Sequence, residues 1–348
     1  MFELWFGIVA VMFTAYVVLD GYDLGAGALH LVVARTGDER RQVLAAVGPF
    51  WDANEVWLLA AGGALFVGFP RVLAAGLSGF YLAIFLVIWT LILRAVAIEF
   101  RSHVGDVLWR AFWDAVFSLA SAALAILWGA AIGNVIRGLP LGADGWFALP
   151  LFTTFGTTPP VGILDWYTVL TGVFALVALV GHGAVFLTWR TDGPVHDRSR
   201  RIAAALFAVL VLLWPAVTIA TQIVNPVLFP NLAGRWMAWL GLVAAIAGIV
   251  AVFAGLRRDR GLTAFLGSSA WIVGMLVATA ACLYPVMLRA VPDAAYSITA
   301  AAGGNSAGGL RSALGWWIVG FPIAIAYFVI LFRVHRGKAV AAAEGQGY

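Results

Sequence analysis

The sequence predicts an all-α polytopic membrane protein, and three observations support that fold class. Of the 348 residues, 63% are hydrophobic and 11% are charged, and the mean hydropathy is +0.97. This composition is typical of a chain embedded in a bilayer. Backbone groups in lipid must be satisfied internally, so only helices or a closed barrel can span it. The apolar runs are long and continuous rather than alternating over about ten residues, which favours helices.

A hydropathy window of about 19 residues identifies nine spans joined by short connections. Spans 1 to 9 cover residues 5–33, 51–69, 72–100, 112–136, 161–189, 202–223, 236–256, 262–288 and 313–332. Only Glu3 precedes the first apolar run as a charged residue, so we expect a retained helix rather than a signal peptide. The two longest connections, 137–160 and 289–312, are rich in Gly, Pro and small residues and are expected to be structured surface loops. We therefore predict a single membrane domain over residues 1–348.

The basic residues predict how the chain is oriented. Fifteen Arg and Lys residues lie in or beside one set of loops and five in the opposite set. The positive-inside rule places the richer set in the cytoplasm, with the N-terminus outside and the C-terminus inside. The same bias accounts for the net charge of +4, so we expect no nucleic-acid partner.

Ionisable residues inside spans 1 to 4 are the strongest functional signal. Each costs roughly 2.5–3.5 kcal/mol at the centre of a membrane helix, and such residues usually serve ion or proton chemistry. In the predicted topology they all lie in the cytoplasmic half of the first four spans: Asp20, Asp23, Asp52, Glu55, Arg94, Glu99 and Asp114. Asp23, Asp52, Glu55 and Glu99 are the candidates for a proton pathway, and no residue is predicted to be catalytic.

Several of these residues also have a structural interpretation. Asp52 and Glu55 follow Gly48 at the spacing of a capping box, so Asp52 is either a helix cap or a proton-handling group. We expect Asp20 to bond to nearby backbone at a Gly-rich bend, and Asp114 to be a surface or capping group. Arg94 requires a buried anion as its partner.

The histidines and the cysteine predict no metal site in this chain. Among the five histidines, only His182 falls well inside a predicted span, where we expect a hydrogen-bonded packing residue. A single buried histidine with no facing partner does not predict a haem site. Cys282 is the only cysteine, which excludes an internal disulfide and a CxxC motif.

Motifs between residues 10 and 140 resemble subunit II of the cytochrome bd quinol oxidases. Residues 20–25 read Asp-Gly-Tyr-Asp-Leu-Gly, residues 51–57 read Trp-Asp-Ala-Asn-Glu-Val-Trp, and residues 62–66 read Gly-Gly-Ala-Leu-Phe, each matching a signature of that family. After residue 140 the resemblance rests on hydropathy and on Tyr284-Pro285. Two departures are Ala95, where many relatives have proline, and His182, where many have an amide.

The resemblance implies an architecture and a set of partners. It implies two four-helix bundles, about 5–136 and 161–288, with a peripheral helix at about 313–332. It implies pairing with a pseudosymmetric subunit I that carries two b-type haems and one d-type haem, and it allows small accessory subunits. The complex would reside in the bacterial plasma membrane, oxidise quinol, reduce O2 to water and generate a proton-motive force.

Several residues have alternative partners. The anion that Arg94 needs is a carboxylate or a haem propionate, contributed by another helix or by a partner subunit. Trp51 and Trp57 flank the acidic motif, where they either fill a helix junction or stack on a structural quinone. The chain itself is expected to hold no tightly bound cofactor, and to support assembly and proton or oxygen access.

Two other functions fit part of the sequence. Intramembrane carboxylates alone also suit a proton-coupled transporter, although transporters commonly repeat their broken helices in two halves, and here the polar residues lie only in the first four spans. The third interpretation is a scaffold with no conducting role.

The topology yields the first testable prediction. A tag at Met1 should be reached from outside the cell and a tag at Tyr348 from the cytoplasm, because nine spans place the termini on opposite sides. The measurement is labelling by an impermeant reagent in intact and in opened cells. Labelling of both tags from one side would contradict nine spans.

Overall fold

The structure, a computed structural model, describes residues 1–340, and most of them are helical. The last eight residues of the predicted domain lie outside the described residues. In chain order the helices are α1 (Phe2–Val33), α2 (Gly37–Val47), α3 (Trp51–Gly68), α4 (Pro70–Gly79), α5 (Tyr81–Phe100), α6 (Val107–Arg137), α7 (Trp166–Arg190), α8 (Gly193–Val224), α9 (Pro230–Ala233), α10 (Trp236–Arg257), α11 (Gly261–Leu283), α12 (Ala300–Gly303) and α13 (Ala307–Val334). Strands β1 (Val286–Leu288) and β2 (Ile298–Thr299) pair antiparallel, with a 3₁₀ turn at Ala294–Tyr296 between them.

Within residues 1–340, eight helices are long and apolar enough to cross a membrane: α1, α5, α6, α7, α8, α10, α11 and α13. This agrees with the predicted polytopic all-α class. The helix at predicted span 2, α3, has 18 residues and is not among the eight. Asp52, Asn54 and Glu55 in its first two turns lower its mean hydropathy.

Two predicted spans are interrupted before their predicted ends. Span 3 is two helices, α4 and α5, separated at Phe80. The Gly79 carbonyl accepts a hydrogen bond from Leu149 N at 3.1 Å, so a loop residue takes an acceptor that would otherwise continue the helix. Span 8 ends at Leu283 because Pro285 cannot donate a backbone hydrogen bond, and the residues beyond it form β1. A hydropathy window registers neither feature.

Helix α1 is shared by two apolar clusters. Its first half contributes Trp5, Ile8 and Tyr16 to a cluster with α3, α4 and the loop after α6. Its second half contributes Tyr22 and Leu29 to a cluster with α2, α7 and α11. Asp20 and Asp23 therefore lie on α1 where the two clusters meet, surrounded by apolar packing above and below.

Helices α1 and α7 cross in close contact at Gly25 and Gly183, just beyond Asp20 and Asp23 on α1. A Cβ atom added to Gly25 would lie 1.9 Å from the Leu179 carbonyl oxygen and 2.7 Å from Gly183 N. Only glycine permits this approach, which resembles the small-residue contacts of membrane helices. The crossing stacks Tyr22 on Phe186, with ring centroids 4.0 Å apart.

The short helix α2 is fastened to α8 by an ion pair. Thr36 and Glu39 form a capping box at the start of α2, and Glu39 Oε1 accepts a hydrogen bond from Arg198 Nη2 at 2.6 Å. The hydrogen bond from the Arg198 guanidinium lowers the pKa of Glu39 to about 2. The Glu39 carboxylate therefore stays ionised at neutral pH, and its ion pair with Arg198 continues to join α2 to α8.

The α1–α7 crossing predicts the effect of adding one methyl group. Gly25→Ala should separate the two helices, since the new atom overlaps backbone that cannot move aside, and should destabilise the fold by about 3 kcal/mol or more. Gly7→Ala on the same helix should have little effect, because nothing lies within 4 Å of its added atom. The measurement is the yield and thermal midpoint of each purified variant. Equal midpoints for the two would contradict the crossing.

Candidate functional site

An ionic cluster with a buried arginine at its centre joins helices α1, α3 and α5. Arg94 is 0% exposed; its Nη1 donates to Asp20 Oδ1 at 2.6 Å, and its Nη2 donates to Glu55. Arg94, for which a buried anion was predicted, pairs here with two carboxylates, and both belong to this chain. Charge-assisted bonds of this kind are among the strongest in proteins, so the pairing fixes the three helices relative to one another. Asp20, expected to bond only to local backbone, is instead a partner of Arg94.

Asp23 lies one turn along α1 and has a different kind of partner. Its side chain is buried, and Oδ2 accepts a hydrogen bond from Asn54 Nδ2 at 2.7 Å. The same amide nitrogen lies 2.7 Å from the Tyr22 hydroxyl and 3.2 Å from the Leu19 carbonyl oxygen. Among the contacts of the described residues, Asp23 is thus held by a neutral amide, whereas Asp20 and Glu55 are held by a guanidinium.

Four atoms of this cluster are buried and have no hydrogen-bond partner within the described residues: Asp20 Oδ2, Asp23 Oδ1, Asn54 Oδ1 and Arg94 Nε. Buried polar atoms are normally paired with protein or with ordered water, and internal water usually bridges several such groups. A buried site with several carboxyl oxygens and spare hydrogen-bonding capacity is suited to holding and passing a proton.

The structure does not bring all four proton-pathway candidates together. Asp23 is buried and Glu55 is partly exposed, but Asp52 and Glu99 are exposed. The buried row of α3 runs through Trp51, Asn54 and Trp57, so Asp52 lies on another face. The capping interpretation of Asp52 is wrong, because α3 begins at Trp51 with Phe50 as its N-cap and no side-chain cap.

The expectation that Asp114 is a surface or capping group is also wrong. Helix α6 begins five residues earlier than the predicted span, at Val107, and its cap is Asp106, whose side chain accepts from Trp109 N at 2.9 Å. Asp114 is therefore two turns inside the helix and 0% exposed. It accepts hydrogen bonds from Arg101 and from Arg40 Nη1, at 3.0 Å in the case of Arg40.

His30 is the residue of this second cluster that the sequence analysis missed. It is 0% exposed, and its Nε2 lies 2.6 Å from Asp114 Oδ1. His182 is thus not the only histidine buried inside a helix. His30 follows Asp23 by seven residues, two turns of the same face, and that spacing was the available signal.

His182 is confirmed as a hydrogen-bonded packing residue. Its Nδ1 lies 2.6 Å from Ser268 Oγ and its Nε2 lies 2.9 Å from the Val18 carbonyl oxygen. The ring stacks on Phe265 with centroids 5.1 Å apart. Both ring nitrogens are therefore engaged and neither is presented to a metal. No group of three potential metal ligands occurs among residues 1–340.

The two tryptophans beside the acidic motif have different surroundings. Trp51 is packed in the apolar cluster with α2 and α7. Trp57 lies against Phe328 of α13, with ring centroids 5.5 Å apart, and lines a cleft of about 800 Å³ between α1, α11 and α13. A second apolar cavity of about 480 Å³ lies between α1, α6, α7, α8 and α11.

A third ionic group, also missed from the sequence, lies at the other end of α6. Arg137 is buried and donates to Asp165, to Asn134 Oδ1 at 2.7 Å and to the Gly162 carbonyl at 2.9 Å. Asp165 also caps α7 through Tyr167 N and Thr168 N. This group joins α6 to α7 and serves packing.

The Arg94 cluster yields a prediction about assembly. Arg94→Gln should destabilise the protein by about 3–5 kcal/mol, because removing one partner leaves buried carboxylates uncompensated. Asp20→Asn added to that variant should restore part of the loss. Arg71→Gln, at an exposed arginine, is the control. The measurement is the thermal midpoint of the purified protein, and a parental midpoint for Arg94→Gln would contradict the pairing.

Known proteins resemble this chain in sequence, and a solved structure resembles it in fold. Residues 1–335 match the family described as cytochrome bd terminal oxidase subunit II. Cytochrome bd-I ubiquinol oxidase subunit 2 of Escherichia coli K12 is 36% identical over 210 residues, which are 60% of this chain and 54% of that protein. The chain thus spans about half the length of the E. coli relatives that it matches.

Two further relatives are aligned over more of their length. Cytochrome bd ubiquinol oxidase subunit 2 of Bacillus subtilis is 30% identical over 300 residues, which are 86% of this chain and 85% of that protein. The structure of bd oxidase from Geobacillus thermodenitrificans contains a chain that matches with a TM-score of 0.73 at 17% identity, covering 96% of this chain and 98% of that one. The last likeness concerns the fold alone. Because the family match extends over nearly the whole chain, this protein belongs to the cytochrome bd terminal oxidase subunit II family.

Proposed function

We propose that the chain is subunit II of a quinol:oxygen oxidoreductase, a terminal oxidase that oxidises quinol, reduces O2 to water and generates a proton-motive force. The observation that carries the proposal is the family match over residues 1–335. The family's own motif residues Asp20, Asp23 and Glu55 meet Arg94 in one buried cluster, which supports a role beyond packing.

The proposed contribution of this chain is a proton inlet. Reduction of O2 to water consumes protons at a buried site, and taking them from the cytoplasm adds to the proton-motive force. Asp52 and Glu99 lie at the same end of the helix group as the cluster and are exposed, whereas Glu55 and Asp23 lie progressively deeper. This gradation of exposure supports a route from Asp52 and Glu99 through Glu55 to Asp23.

The haems belong to subunit I in this proposal. A haem needs an axial His, Met or Cys at a buried position. In this chain His30 is paired with Asp114, and both nitrogens of His182 are engaged, so neither buried histidine fits as a ligand. We therefore assign the two b-type haems and the d-type haem to the partner.

The proposed membrane architecture has nine spans in one domain, with the N-terminus outside. The ninth span is α3: its 18 residues extend about 27 Å at 1.5 Å per residue, close to the hydrocarbon thickness. The proposed first bundle contains α1, α3, α5 and α6, the second contains α7, α8, α10 and α11, and α13 is peripheral. The 15-to-5 split of basic residues supports this orientation.

The surface of α3 and α5 is the proposed contact with subunit I. Large apolar side chains are exposed there, including Leu59 and Phe66 on α3 and Trp89 on α5. Glu55 lies beside them with 24% of its side chain exposed, and a partner protein would cover it better than lipid. Since Nη1 and Nη2 of Arg94 donate to Asp20 and Glu55 of this chain, we propose that Arg94 acts within this chain and reaches subunit I only through Glu55. Small accessory subunits would attach elsewhere.

Two apolar spaces suit apolar ligands. The cleft beside Trp57, about 800 Å³ and lined by Tyr284 and Phe328, is the proposed place for a structural quinone. The cavity of about 480 Å³ beside Trp128 and Trp271 is proposed to aid oxygen access, because dry apolar cavities bind small apolar molecules.

Co-purification separates this proposal from a proton-coupled transporter. A tagged chain from its native membrane should bring down a haem-bearing partner in equal amount, and the complex should show the red absorption of haem d. A chain that purifies alone and takes up a solute with protons would instead support the transporter.

The proton inlet predicts that Asp23→Asn assembles with full haem content but consumes oxygen about tenfold or more slowly, since loss of a positioned proton-transfer group usually costs 10²–10⁴-fold in its step. Asp52→Asn should slow turnover less, because Asp52 is exposed and water can replace it. Asp144→Asn, in an exposed loop, is the control. The measurement is oxygen consumption per haem d. Parental turnover of Asp23→Asn at full assembly would favour the scaffold interpretation.

A further inference from the structure

We infer that Asn54 is the positioning residue for the exchangeable proton of Asp23. The inference rests on the proposed function, in which Asp23 passes protons, and assigns a role to a side chain that carries no proton itself. Asn54 is 0% exposed and lies on α3, facing α1. Its amide nitrogen is 2.7 Å from Asp23 Oδ2.

The charges around Asp23 identify it as the carboxyl that exchanges. The charged and titratable neighbours of Asp23 are Asp20 and Tyr22 on α1, Glu55 on α3 and Arg94 on α5. His182 and Arg190 of α7 lie beside Tyr22. Arg94 donates to Asp20 and to Glu55. One guanidinium thus holds two carboxylates in place, and the third carboxyl, Asp23, is held by an amide. Like charges at close range cannot all remain ionised in a buried site.

The contact with Asn54 also selects the oxygen that bears the proton. An amide N–H donates to Oδ2, so Oδ2 acts as an acceptor and the proton belongs on Oδ1. That atom is buried with no partner within the described residues. When the proton leaves, the O–H bond at Oδ1 breaks, a water molecule of the pathway takes the proton, and Asp23 becomes a carboxylate. A proton from cytoplasmic water restores the bond.

Asn54 is able to respond to that change of charge. Its amide has two N–H groups and three acceptors within reach: Asp23 Oδ2, the Tyr22 hydroxyl and the Leu19 carbonyl. A carboxylate is a stronger acceptor than a hydroxyl, so ionisation of Asp23 draws the amide toward it. The amide therefore stabilises the transient carboxylate without an additional charge.

The test compares two substitutions in the assembled complex. Asn54→Leu keeps the branched shape of the side chain and removes the donor, whereas Asn54→Ala removes the donor but leaves room for water. We expect Asn54→Leu to slow oxygen consumption per haem d about tenfold and to shift its pH profile, and Asn54→Ala to be slowed less. A packing role predicts the reverse order, because alanine leaves a cavity. If Asn54→Leu does not assemble, the pH profile of Asn54→Ala decides: an unshifted profile overturns the inference.

The matched control is Asn225→Leu. Asn225 is equally buried, and its amide donates to the Ile136 carbonyl at 2.8 Å, far from the proposed pathway. We expect it to affect stability and to leave the pH profile unchanged. An equal shift for Asn225→Leu would overturn the inference.

The double variant separates this inference from the proposed function. Asn54→Leu added to Asp23→Asn should cause no further slowing, because the two residues act on one proton. Multiplying effects would overturn the positioning role and leave the inlet standing. Parental turnover of Asp23→Asn would instead refute the inlet, and with it the role of Asn54.

Discussion

The guanidinium of Arg94, buried between Asp20 and Glu55, is the interaction on which the rest of the structure depends. Three helices meet at it, and each brings a charge that would be costly in the bilayer without the other two. The Arg94 guanidinium donates to Asp20 and Glu55, whereas Asp23 accepts from the Asn54 amide. The same arrangement therefore holds α1, α3 and α5 together and leaves one carboxyl free of a guanidinium. Helix assembly and proton handling therefore both follow from the presence of three carboxyl groups and one guanidinium in this cluster.

Apolar packing surrounds the Arg94 cluster. Helix α1 contributes to both apolar clusters, and its acids lie where the clusters meet, so apolar side chains flank the ionic cluster on both sides. The crossing at Gly25 and Gly183 holds α7 against α1 at this level. His30 and Asp114 repeat the principle two turns along α1, with Arg40 and Arg101 as counter-ions. The first cluster has more carboxyls than cations and the second has more cations than carboxyls, which suits the first to proton exchange and the second to structure.

The sequence predicted the fold class, most helices and the acids of the site, because hydropathy and intramembrane charge depend on local composition. It did not predict the break at Phe80, which arises from a hydrogen bond to Leu149 seventy residues away in sequence. It also misplaced Asp52 and Asp114. For Asp52, the row of Trp51, Asn54 and Trp57 at helical spacing was sufficient to put the carboxylate on another face. Asp114 is buried because α6 begins at Val107, with Asp106 as its cap. A hydropathy window does not detect this earlier start. The pairing of Arg94 with two acids of this chain required the helices to be placed in space.

In this cluster Arg94 pairs with Asp20 and Glu55, and we propose that Asp23 bears the exchangeable proton. The most direct measurement is the infrared spectrum of the purified complex in the region where protonated carboxylic acids absorb. We expect a carboxylic-acid band that disappears in Asp23→Asn, shifts in Asn54→Leu and persists in Glu99→Gln. A band that survives unchanged in Asp23→Asn would place the proton elsewhere and contradict the account.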